Sequence, residues 1–157
     1  MTEASDGRRP TWNDLERIVR ANEYMVLATA DATGAPWASP VWFATTDFRE
    51  FFWVSDPQAR HSRNLATRPE LAIAIFDTTQ KPGTGTGVYL SARGRRVEDD
   101  ELDAGIAIFS AASQRVGLSA WSRADVDGSA RLRLYRATAH EQFVLDSRDR
   151  RVSVSAP

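Results

Sequence analysis

The sequence predicts a small antiparallel β-barrel of the α+β type, closed or split, made of six strands with helices inserted between them. Three observations lead there. Apolar runs of strand length recur along the chain, and most are joined by short turn signals rather than by long crossovers, so a parallel doubly wound sheet fits poorly. Helical spacing is confined to a few short stretches, after Thr11, after Ala59 and after Asp100. The length, 157 residues, fits one domain large enough to bury a sizeable core.

Residues 1–10 are polar and expected to be disordered, residues 148–157 read as a polar tail, and 11–147 form the single domain. Thr11 is the candidate N-cap of a helix that carries Trp12, Leu15, Ile18 and Val19 on one side and should pack on the sheet. Tyr24 to Ala30 is a strand, and Asp31-Ala32-Thr33-Gly34 is its hairpin turn. The returning strand, 35–46, holds Pro36 and Pro40. Neither donates to a ladder, so it lies at an edge, contains a bulge or leaves backbone free to face a ligand. Asp47-Phe48-Arg49 turns into a third strand, 50–55, whose Phe51, Phe52, Trp53 and Val54 have aromatic and β-branched character. Ser55-Asp56-Pro57 stops it, and a short basic helix runs from Ala59 until Pro69.

Leu71 to Asp77 alternates large and small apolar residues with little polar relief, as expected of a strand buried on both sides by a barrel or a subunit contact. Lys81 to Gly87 is a glycine-rich loop; it lacks the Gly-Lys-Ser/Thr ending of a phosphate loop and opens onto a strand. That fifth strand, 88–98, carries Gly94 at an expected bulge, and Asp99 or Asp100 caps a helix bearing Leu102, Ile106 and Phe109. Residues 113–130 read as a loop or partly helical lid, and Arg131 to Asp146 as a long sixth strand.

Composition narrows the function classes. The formal net charge is −1 with 26% charged residues, so no overall basic field favours nucleic acid. Cysteine is absent, which removes disulfides, thiolate nucleophiles and cysteine metal sites, and His61 and His140 alone make a multi-histidine metal site unexpected. The N-terminal stretch has no apolar signal core and no run approaches a membrane span, which makes the cytoplasm the expected compartment.

One stretch points to chemistry. From Ala59 the helical spacing places Arg60, Arg63 and Asn64 on one face, and the first two turns hold two arginines and His61. A helix N-terminus offers unpaired N–H groups and a partial positive charge, so this is a candidate phosphate socket. The plainer alternative is a solvated basic face.

Three segments taken together, LATADATGAPWASPVWF (27–43), FFWVSDPQARHSRNLATRPELAIAIFD (51–77) and LRLYRATAHEQFVLD (132–146), resemble the FMN-binding split-barrel family, the pyridoxamine 5'-phosphate oxidase-like proteins. The resemblance spans roughly residues 11–146 and implies a six-stranded antiparallel split barrel with flanking helices. It also implies a homodimer with two flavin sites at the subunit interface. Carried over by position, Trp37, Ala38, Ser39, Pro40, Val41 and Trp42 would run beside the isoalloxazine. Trp53, Val54 and Ser55 would border the ribityl chain and phosphate. Arg60 with His61 would hold the phosphate, Arg63 and Asn64 being second candidates, and Tyr135 would meet the flavin from the other subunit.

The oxidases proper carry lysines near the positions of Trp42 and His61, and neither is here, so the resemblance implies a relative with its own substrate. It is expected to be an FMN-dependent oxidoreductase, no catalytic residue being identifiable. The alternatives are the deazaflavin coenzyme, whose acidic tail Arg93, Arg95 and Arg96 would meet, and a non-catalytic flavin- or haem-binding protein. Haem would take His61 or His140 as its axial ligand.

Overall fold

The computed structural model describes residues 7–157. Eight strands form one antiparallel sheet, β1 (Tyr24–Ala30), β2 (Pro36–Trp42), β3 (Ala44–Thr45), β4 (Glu50–Ser55), β5 (Glu70–Phe76), β6 (Gly87–Arg96), β7 (Arg133–Leu145) and β8 (Arg151–Ser153). Their order is β2-β1-β5-β6-β7-β4-β3, with β8 also on β7. The two edge strands, β2 and β3, are consecutive in the chain and separated only by Phe43. A sheet whose opposite edges are joined by one residue must curl until those edges approach. The chain crosses the gap covalently while no ladder closes it, and the result is a split barrel.

The strand expected over 35–46 is therefore divided at Phe43 into β2 and β3, and β8 is added to the expected six. The tail, expected to be polar and without a partner, pairs Val152 with Val144 and buries Val154. Of the segment expected to be disordered, residues 1–6 lie outside the described residues, and Arg8 donates to Asp14 at 2.9 Å.

Helix α1 (Trp12–Arg20) buries Trp12, Leu15, Ile18 and Val19 against the inside of the sheet. Burial opposes ionisation of Asp14, but bonds from Arg8 and from the Thr11 N–H and hydroxyl outweigh it and lower its pKa to about 2. Helix α2 (Arg60–Thr67) follows β4, and α3 (Leu102–Arg115) precedes the short α4 (Arg123–Val126). Among the described residues no helix is long and apolar enough to cross a membrane.

Strand parity divides the apolar residues between two clusters. Phe51, Trp53, Tyr135 and Ala137 point into the barrel with Met25, Leu27, Ile73 and Leu90, whereas Phe52 and Leu134 point outward beneath Ile106 and Phe109 of α3. That is why β4 is apolar at successive positions. In β5, Leu71, Ile73 and Ile75 are buried, but Phe76 and Ala72 are exposed, so only one of its faces is covered by the described residues.

Two local expectations are corrected. Ser91 faces Glu141 and Ala92 faces Ala139, so the bulge lies in β7 at His140 rather than at Gly94. Gly94 instead allows close approach, because a Cβ there would lie 3.1 Å from Leu71 and 3.2 Å from Leu65. Neither Asp99 nor Asp100 caps α3; both belong to a 3-10 turn, Asp99–Glu101, and Glu101 directly precedes the helix.

Candidate functional site

The site is assembled where α2 starts. Asp56 and Pro57 end β4, the Asp56 carbonyl accepts from the Ala59 N–H at 2.9 Å, and the chain enters α2 with Ala59 as N-cap. Alanine has no capping oxygen, so the first-turn N–H groups of α2 receive none from it. The helix then sorts its side chains. Arg60 and Arg63 are exposed, while His61, Ser62, Asn64 and Leu65 are buried against the sheet.

Each polar group on the buried face has a different environment. His61 Nε2 lies 2.7 Å from Ser55 Oγ at the end of β4. Burial pushes the His61 pKa below its ordinary 6.5, so the ring is neutral at pH 7. Asn64 Nδ2 donates to Thr29 Oγ1 at 3.0 Å, and the Thr29 hydroxyl is directed at the Trp37 carbonyl at 3.4 Å. The Ser62 hydroxyl is buried without a partner among the described residues.

On the outer side the Arg60 guanidinium rests over the Trp37 ring, 4.6 Å from its centroid. Such a cation–π contact contributes about 0.5–1 kcal/mol at an exposed site and restricts the guanidinium's freedom. Among the described residues Arg60 forms no ion pair. The charge of Arg60 is a minor contributor to the lowered pKa of Asp31, which is due first to the Thr33 hydroxyl and the Ala35 N–H. Arg63 donates to the Gln58 carbonyl and thereby ties down the turn before the helix.

The structure thus places Trp37, Ser55, Arg60, His61 and Asn64 along α2 in three contacts, Arg60 on Trp37, His61 on Ser55 and Asn64 on Thr29. Thr29 joins them without having been marked in the sequence. Its pairing with residue 64 is tertiary, and one threonine in an apolar strand gives no local signal.

The other expected site residues have these surroundings within the chain. Ala38 and Pro40 pair with Ala28 and Val26 on the outer face of the sheet, whereas Ser39 and Val41 pair with Leu27 and Met25 and share their side of the ladder. Trp42 stands edge-on to Phe109 at 4.9 Å and donates its indole N–H to Glu23 at 3.1 Å. Val54 packs on the α3 cluster. Trp53 and Tyr135 are cross-strand partners in the core, stacked at 5.7 Å and 17°, with the Trp53 N–H unpartnered among the described residues.

Arg93, Arg95 and Arg96 form exposed ion pairs with Glu70, Glu101 and Glu98 respectively, Glu101 being shared with Arg136. Of the histidines, His140 is the exposed one.

The family model described as "Pyridoxamine 5'-phosphate oxidase" matches residues 12–145. No curated protein matches the chain significantly. Among solved structures, the chain is similar to a haem-binding protein from Mycobacterium smegmatis at 25% identity and TM-score 0.70. That match covers 93% of this chain but 58% of the other, so this chain spans little more than half of that protein. A conserved hypothetical protein from Mycobacterium tuberculosis matches at 18% identity and TM-score 0.71, covering 94% and 92% of the two chains. The haem storage protein HutZ from Vibrio cholerae matches at 21% identity and TM-score 0.65, covering 85% and 93%. The last two likenesses concern the fold.

Proposed function

The chain belongs to the pyridoxamine 5'-phosphate oxidase family, and on that premise we propose that it is an FMN-binding oxidoreductase with a substrate other than pyridoxamine phosphate. The observation that carries the reading is Arg60: an exposed cation that forms no ion pair among the described residues, laid on Trp37 at a helix start with no capping side chain. A phosphate dianion there gains unpaired N–H groups, the positive end of the helix dipole and a charge-assisted hydrogen bond. Arg60 would hold the phosphate. Trp37 would orient the guanidinium, and the edge strand β2 would border the ring system with backbone not consumed by a second ladder. When bound, FMN supplies reversible hydride and electron transfer, so the chain needs no acid–base pair of its own. The lack of lysine at positions 42 and 61 separates the chain from the oxidases it resembles.

For the deazaflavin alternative, Arg93, Arg95 and Arg96 would have to exchange their exposed carboxylate partners for the acidic tail. A haem-binding role is favoured by the named function of the mycobacterial relative and by His140, exposed at the β7 bulge and open to an axial bond.

A homodimer belongs to the same reading. In the register, Pro40, Val26, Ala74 and Tyr89 form one row across the outer face, and Ala38, Ala28, Ala72 and Ser91 form the next. Tyr24 is 63% exposed and Phe76 48%. A second copy is the partner the resemblance supplies for this apolar face.

The test is the visible spectrum of the purified protein, with mass analysis of what is released on denaturation. A flavin spectrum with released FMN supports the proposal. A Soret band abolished by His140→Ala would transfer the site to haem, and a colourless protein that FMN does not stabilise against heat would overturn flavin binding.

A further inference from the structure

Two contacts made by α2 land on a single rung of the β1–β2 ladder. Thr29 and Trp37 are cross-strand partners. Asn64 donates to the Thr29 hydroxyl at 3.0 Å, and Arg60 lies over the Trp37 ring at 4.6 Å. Residues 60 and 64 are one helical turn apart and therefore share a stripe of the helix. The stripe is thus fastened to the rung at one end through a buried hydrogen bond and touches it at the other through an exposed stacking contact. Thr29 is 3% exposed and Asn64 4%, so neither offers a polar atom to solvent at a depth where losing the partner would be costless. A second tie, from the Arg68 guanidinium to the Ala32 carbonyl at 3.2 Å, holds the far end of α2 to the same hairpin. Rotation of α2 about its axis by the angle of one residue, about 100°, would carry Arg60 off the Trp37 ring. The Asn64–Thr29 bond opposes that rotation.

We infer that Thr29 is a positioning residue of the phosphate socket: acting through Asn64, it sets the azimuth of α2 so that Arg60, one turn earlier, rests on Trp37. Asn64 is then a fastening of the helix and not a ligand of the phosphate. This rests on the proposed phosphate role of the α2 N-terminus, but the geometry it asserts exists in the protein without any ligand and can be read there.

The experiment has two readouts on wild type, Thr29→Val, Thr29→Ser and Arg60→Ala, with the double variant Thr29→Val/Arg60→Ala. The first, without flavin, is the NMR shift of the Arg60 Nε–H group, which the Trp37 ring current displaces. Thr29→Val should move it toward the value of a free arginine, while Thr29→Ser, which keeps the hydroxyl, should not. The second is the dissociation constant for FMN and for riboflavin, which lacks the phosphate. Thr29→Val should weaken FMN by about tenfold and riboflavin by less than about twofold, with Thr29→Ser close to wild type. In the Arg60→Ala background the same change should cost nothing further, since the group it positions is gone.

An unmoved Arg60 signal in Thr29→Val overturns the inference, as does equal loss of FMN and riboflavin affinity without recovery in Thr29→Ser. Should Arg60→Ala leave FMN affinity intact, the phosphate reading fails, while the Arg60 signal still decides whether Thr29 positions it. If Thr29→Val does not fold, Thr29→Val/Asn64→Leu removes both halves of the bond without stranding either. The same shift is then expected, and its absence is equally decisive.

Discussion

Arg60 and His61 are neighbours in the sequence, and α2 turns them to opposite environments: Arg60 outward onto Trp37, His61 inward to Ser55 with 7% exposure. Residue type alone made both candidates for a phosphate, but burial lowers the His61 pKa and leaves the ring neutral at pH 7, so Arg60 is the cation of the pair. The depression fixes the sign of a pH effect. The unfolded chain protonates His61 near 6.5 and the folded chain only at lower pH, so acidification favours the unfolded state. Stability should fall as pH drops below about 6.5, down to the folded-state pKa. In His61→Gln that early loss should be missing, leaving only the later loss as carboxylates such as Asp14, lowered to about 2, are protonated. Melting temperature against pH for the two proteins checks this; identical acid limbs would contradict it. Thr29 shows the limit of reading residues singly, because its role exists only through a partner 35 positions away.

At the scale of elements, α3 shows how tightly a helix can be set against the sheet. A Cβ at Gly105 would lie 2.8 Å from Leu134 and 3.3 Å from Phe52, both buried. Overpacking of this kind costs about 1–3 kcal/mol, against a gain of about 1 kcal/mol for replacing glycine inside a helix. Gly105→Ala should therefore be destabilising despite its better helix propensity, with a lower denaturant midpoint and an unchanged slope. A raised midpoint would mean that Leu134 yields freely. The apolar periodicity of α3 was legible, as were the runs of β1, β4, β5 and β7, since each is a local pattern. The β7 bulge and β8 were not. Both depend on register between distant segments, and a polar tail of alternating Arg, Val and Ser carries little strand signal until Val144 and Gln142 receive it.

For the whole molecule, the one-residue step from β2 to β3 made the split barrel, and it was foreshadowed by the prolines that keep β2 at an edge. The alternation in β5 was read as burial on both faces by a barrel or a subunit contact; among the described residues no helix covers the Ala72, Ala74, Phe76 face, and a second copy is the partner we assign to it. Ala74→Arg would place an unpaired charge in the middle of that face. Light scattering should find a dimer for the wild-type chain and a monomer for the variant, with FMN affinity reduced; an unaltered dimer would place the interface elsewhere. The site was legible as far as a local motif reached, through the basic start of α2. Which core cluster Trp42, Val54, Trp53 and Tyr135 join depended instead on which face each strand turns inward. The most direct test of the central claim is a calorimetric titration of FMN into wild-type protein and Arg60→Ala. The phosphate socket predicts binding by wild type and a loss of more than about tenfold in the variant, or more than about 1.4 kcal/mol. An unchanged dissociation constant would contradict it and remove Arg60 from the site.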